Sequence, residues 1–129
     1  MVRNQRKSFR LGDLQLRIMR LLWGLGEASV ADVQQKLGGR SLAYTTVATM
    51  LRKMEDRGLV QHVEEGRRFV YRAAVSMEEV TRSMTGDLVD RLFGGSLADA
   101  VTHLLDSRDV SREELVRLEQ LIQERKNQP

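Results

Sequence analysis

Cysteine is absent from the 129 residues, which removes disulfides, thiolate metal sites and a cysteine nucleophile together and is compatible with a reducing compartment. Long apolar runs are missing as well. The longest, Leu21-Leu22-Trp23-Gly24-Leu25-Gly26, is bounded by Arg20 and Glu27 and is far too short to span a bilayer. The basic N-terminus does not read as a secretory signal, because Asp13, Gln15 and Arg17 interrupt the stretch that would have to be apolar. These absences lead to the expectation of a soluble, cytoplasmic chain.

Catalytic and metal-binding signatures are equally scarce. Histidine is confined to His62 and His103, and with no His/Asp/Glu grouping at ligand spacing both are assigned to surface or interface packing. No nucleophile elbow accompanies the serines and aspartates, and Gly24-Leu25-Gly26 lacks the preceding strand and third glycine of a dinucleotide site. Trp23 is read as following the first helix, and the methionines sit at core spacings, where they fill volume. The expectation is a protein that is not an enzyme, with no cofactor, no metal and no small-molecule effector. Internal repeats and low-complexity segments are also lacking.

What is present is a chain of about one domain with an appended element. Its 41% hydrophobic and 30% charged residues are those of a folding globular protein. The net charge of +3 hides a division, for residues 1–72 carry 14 Lys/Arg against 7 Asp/Glu and residues 73–129 carry 7 against 11. A cationic first part attracts polyanions and an acidic second part is repelled by them, so DNA and another protein chain are the natural partners.

Leu14, Ile18, Leu21, Leu22 and Leu25 share one helical face, with Asp13 as N-cap and Gly26 as stop. Ser29 and Asp32 form a capping-box pattern for a short second helix carrying Val30, Val33 and Leu37, which Gly38-Gly39 ends. A third helix over residues 43–57 buries Val47, Met50, Leu51 and Met54 and closes at Gly58. Residues 59–63 and 69–73 read as strands of a hairpin joined by the polar stretch 64–68, with the register left open. Helix returns at the capping box of Ser76 and Glu79, with Val80, Met84, Leu88 and Leu92 expected inward. After Gly94-Gly95-Ser96 come an apolar face of Leu97, Val101, Leu104 and Leu105 and a last helix opened by Ser111 and Glu114. The fold class is mainly α with a small β hairpin: a winged helix-turn-helix over residues 1–74, including a basic arm over 1–10, and a helical dimerisation region over 75–129.

In a winged helix the third helix enters the major groove and the hairpin touches the flanking backbone. Opposite the apolar stripe, Thr45, Thr46, Thr49, Arg52 and Lys53 offer hydroxyls, methyls and two cations to base edges and phosphates. Three β-branched residues on an exposed face lower helix propensity where Lys, Glu or Gln would serve a merely solvated surface better. Arg67 and Arg68 at the wing tip and Arg3, Arg6, Lys7 and Arg10 of the arm are further candidates for backbone contact. The apolar faces Val80/Met84/Leu88, Leu97/Val101/Leu104 and Leu118/Ile122 are too extensive for a lone three-helix tail to cover, so a partner chain is expected there. The competing reading is a winged-helix module for protein–protein assembly that binds no specific DNA.

Leu11-Gly12-Asp13-Leu14 with Met19 and Leu22-Trp23, then Leu42-Ala43-Tyr44-Thr45-Thr46-Val47, Gly58-Leu59-Val60, Gly66-Arg67, Tyr71-Arg72 and Leu92-Phe93-Gly94-Gly95-Ser96, resemble the penicillinase repressor family of BlaI/MecI/CopY-type winged-helix transcriptional regulators. The resemblance covers about residues 10 to 125. It implies a homodimeric repressor on a dyad-symmetric DNA operator, with Thr45, Thr46, Thr49, Arg52 and Lys53 in the recognition helix, Arg67 in the wing and the C-terminal helices interlocking between protomers. The cysteine cluster of copper-sensing members is lacking here. The resemblance also names an upstream sensor protease as a candidate partner, although the Asn-Phe bond cleaved in the antibiotic-responsive members is not present here, the corresponding place being near His103-Leu104.

Overall fold

The computed structural model describes residues 9–129, so Arg3, Arg6 and Lys7 lie outside the described residues. Helix α1 spans Asp13–Leu25 and buries Ile18, Met19 and Leu22. Its N-cap is Gly12 rather than the expected Asp13. The Gln15 side-chain oxygen accepts from the Gly12 N–H at 3.1 Å, which leaves Asp13 in the first turn, where its carboxylate faces the positive end of the helix dipole. Gly26, at φ +88°, ends the helix as expected. Trp23 does not follow α1 but sits in its last turn, half-buried.

Strand β1, Ala28–Ser29, leads directly into α2, Val30–Leu37. Ser29 Oγ accepts from the Asp32 N–H and the Asp32 carboxylate accepts from the Ser29 N–H, both at 3.1 Å, completing the capping box read from the sequence. The Ser29 backbone N–H, followed by its hydroxyl, holds the Asp32 carboxyl below the usual carboxylate value. A 3-10 turn over Gly39–Ser41 precedes helix α3, Tyr44–Asp56, whose Val47, Leu51 and Met54 are fully buried.

Strands β2, Val60–Glu65, and β3, Arg68–Ala73, pair antiparallel from Val60 opposite Ala73 to Glu65 opposite Arg68. The sheet order is β1-β3-β2, with Ala28 opposite Tyr71. The hairpin is tighter than the sequence suggested, because Glu64, Glu65 and Arg68 belong to the strands and only Gly66 and Arg67 form the turn. Gly66 at φ +65° followed by a negative φ at Arg67 has the pattern of a type II′ turn, whose twist matches the strands. Paired strands with one face open to water accept charged residues, so polarity alone did not mark the turn.

Helices α4, Met77–Phe93, α5, Leu97–Ser107, and α6, Arg112–Lys126, complete the chain. The Ser76 N-cap accepts from the Glu79 N–H at 3.0 Å, Ser96 from Asp99 and Ser111 from Glu114, both at 3.1 Å. The structure divides into two compact units after Asp87, thirteen residues beyond the expected boundary. The reason is Val80: it is 1% exposed and belongs to the core that joins α1, α2, α3 and the sheet, with Met84 packed against that core. Val80 is therefore corrected from a dimer-contact residue to a core residue of its own chain. Leu88 and Leu92, also expected inward, are exposed. In the second unit Ala100 is buried, whereas Leu97, Leu104, Leu105, Leu115, Leu121 and Ile122 are exposed. Among the described residues no helix is long and apolar enough to cross a membrane.

Candidate nucleic-acid interface

Helix α3 has two faces because its sequence carries two periodicities. Val47, Leu51 and Met54 anchor one side in the core, and Thr45, Thr46, Thr49, Arg52 and Lys53 are all exposed on the other. Thr45, Thr46, Thr49 and Lys53 come together around a shallow depression of about 330 Å³ that Met50 also lines. Arg52 does not line it and lies toward the flank. Its charge acts on Tyr71, a buried phenol whose pKa burial pushes up, with the Glu55 carboxylate adding to the rise and Arg52 opposing it. Asp56 is exposed one turn beyond Arg52 and Lys53, so the cationic and hydroxyl groups of α3 are concentrated toward its N-terminal three turns.

That N-terminus has no side-chain cap. The first helical bond runs from the Val47 N–H to the Ala43 carbonyl at 3.2 Å, which leaves the N–H groups of Tyr44, Thr45 and Thr46 without intrahelical acceptors beside the threonines. Such a helix end suits a phosphate oxygen.

Arg10, Arg52, Lys53, Arg67 and Arg68 are exposed, and among the described residues none forms an ion pair. Arg67 occupies the wing turn. Arg68 begins β3 opposite Glu65, on the strand face shared with Val70, and its charge acts on Asp32. The structure thus separates two arginines that are adjacent in sequence. Arg10 is held at its backbone, where its carbonyl accepts from Arg57 at 2.7 Å, and the preceding Phe9 is buried with its N–H donating to Ser83 Oγ at 2.9 Å. Arg57 also donates to Gln15 at 3.3 Å, and Gln15 in turn donates to Met50 Sδ at 3.2 Å. Arg57 is therefore a structural cation that fastens the end of α3 to the start of α1.

Sequence reasoning missed Tyr44, which is 51% exposed at the first position of α3, and Arg40, exposed in the turn before it. A large aromatic directly preceding the threonine pair was the available signal. It also assigned Met50 wholly to the core, although Met50 borders the depression.

Three helices and a basic hairpin, with an exposed threonine and cation stripe on the third helix, define a winged-helix DNA-binding transcriptional regulator. The family model described as penicillinase repressor matches residues 11–124, and the chain belongs to that family. The penicillinase repressor of Bacillus licheniformis is 27% identical over 123 residues, covering 95% of this chain and 96% of that one. The transcriptional regulator BlaI of Mycobacterium tuberculosis is 32% identical over 121 residues, covering 88% of each. Among solved structures, that of the DNA-binding domain of the repressor BlaI matches with a TM-score of 0.50 at 25% identity, over 57% of this chain and 92% of that domain. The protein is a DNA-binding transcriptional repressor and not an enzyme.

Proposed function

We propose that the chain acts in the cytoplasm as a homodimer that occupies a dyad-symmetric operator and blocks transcription. Base edges are read by Thr45, Thr46 and Thr49, with Arg52 and Lys53 reaching a guanine or the phosphates bordering the groove, while Arg67, Arg68 and Arg10 hold the backbone. The observation that carries this reading is the stripe on α3, where exposed hydroxyls and two cations, without ion-pair partners among the described residues, stand opposite a fully buried apolar side.

Dimerisation is supported by the second unit, in which Leu92 is 71%, Leu97 67% and Ile122 58% exposed. A soluble chain rarely leaves that many large aliphatic groups to water, and a second copy is the simplest cover. Met84, Leu88, Leu97, Val101, Leu104, Leu118 and Ile122 remain the proposed contact residues. The His103–Leu104 bond lies inside α5.

Mobility-shift titration against genomic fragments tests the reading. A small set of fragments should be retained, each with an inverted repeat whose half-sites lie about one helical turn, roughly 34 Å, apart. Equal retention of all fragments would reduce the activity to nonspecific binding.

A further inference from the structure

The hairpin is tied to the recognition helix through Glu55, in the last turn of α3. Its two carboxylate oxygens lie 2.7 and 2.8 Å from His62 Nδ1, and Oε2 also accepts from the His62 backbone N–H at 3.2 Å. His62 is on β2, the edge strand next to β3, so this N–H points away from the ladder and would otherwise have only water as acceptor. On its other side the imidazole stacks on Phe69, with ring centroids 4.1 Å apart at 24°, and leans on Tyr71 at 5.3 Å. One carboxylate therefore grips both the ring and the main chain of a residue whose ring is held by β3.

We propose that Glu55 and His62 form a clamp that makes the wing and the recognition helix meet DNA as one rigid body, so that both are positioning residues for Arg67. The proposal rests on the reading that Arg67 contacts the operator. Arg67 lies five residues beyond His62 at the end of the hairpin, so a rotation at His62 displaces the tip most. A wing whose angle to α3 is already set loses less conformational freedom on binding than one that must be ordered by the DNA.

A double-mutant cycle on operator affinity in the full chain, pairing Glu55→Ala with Arg67→Ala, tests this. Alanine is a better helix former than glutamate and the Glu55 side chain is partly exposed, so α3 is retained. Arg67→Ala should weaken binding severalfold in the native background and much less beside Glu55→Ala, a coupling of at least about threefold, as for residues in one network. Glu55→Gln keeps an oxygen acceptor for His62 and should restore most of the coupling. Losses that multiply independently overturn the clamp while leaving the wing contact standing. Arg67→Ala without effect in the native background removes the wing contact, and the positioning role with it. In the free protein, exchange of the His62 amide proton should accelerate at least about tenfold in Glu55→Ala as its acceptor is lost, and unchanged exchange overturns the clamp by itself.

Discussion

The indole N–H of Trp23 donates to the carbonyl of Val75 at 2.9 Å, joining the last turn of α1 to the segment between β3 and α4. Val75 itself is buried, so the bond fixes the chain where it leaves the hairpin. Trp23→Phe keeps most of the ring but removes the donor, leaving a partly buried carbonyl with a poorer partner. Denaturant unfolding should show a loss of about 1 kcal/mol, and operator affinity measured well below the transition should not change.

Sequence discrimination is expected to reside in the threonines. Thr46→Ala or Thr49→Ala should each cost on the order of 1 to 3 kcal/mol on the cognate operator and leave a scrambled duplex almost unaffected. Paired titrations at one salt concentration give the comparison. Equal losses on both duplexes would mean that these side chains only position the helix.

The wing arginine should act through phosphate. Each phosphate contact releases condensed counterion with a slope of about −0.9 in the logarithmic salt dependence of affinity, so Arg67→Ala should flatten the slope by roughly that amount for every sequence. A slope identical to that of the native protein would take Arg67 out of the contact set.

Val80 and Leu92 lie on the same helix and should respond oppositely to truncation. Val80→Ala removes two buried methyl groups and should destabilise the winged-helix unit by about 2 kcal/mol. Leu92→Ala should leave that unfolding transition unchanged and shift the monomer–dimer equilibrium toward monomer in sedimentation experiments. If Val80→Ala impaired association without loss of stability, its placement in the core would be wrong.

Acid should weaken the start of α2. The folded-state pKa of Asp32 lies below its unfolded value, so its contribution is present above about pH 4 and is lost as pH falls through the depressed folded value. Asp32→Asn should flatten the stability profile on that acid limb. Ser29→Ala, which removes the hydroxyl cap, should cost about 1 kcal/mol near neutrality.

Helices α1, α2 and α3 were legible because each repeats its buried residues at helical spacing and begins or ends on a recognisable cap. Ser29 with Asp32 and Gly26 are direct examples. Strand β1 was not legible, since two residues carry no periodicity. Val80 was placed against a partner because helical spacing shows that a residue is buried but not which body buries it. The stripe of Thr45, Thr46, Thr49, Arg52 and Lys53 could be read as a face, whereas the depression bordered by Met50 depends on how far each side chain reaches. The Glu55–His62 contact escaped notice because it joins a helix to a strand across the Gly58 turn, where no single period applies.

The side chains that hold α3, namely Val47, Leu51, Met54 and Glu55 on the helix and Arg57 just beyond its end, are distinct from the exposed stripe, and Met50 borders both the core and the depression. On the proposed reading of the stripe, descendants of a duplicated gene would drift toward new binding sequences by changing Thr45, Thr46, Thr49, Arg52 or Lys53 without first losing the scaffold. The separation also recommends grafting those positions alone as the route to a repressor with a chosen target, with Met50 kept as the hinge between the two sets.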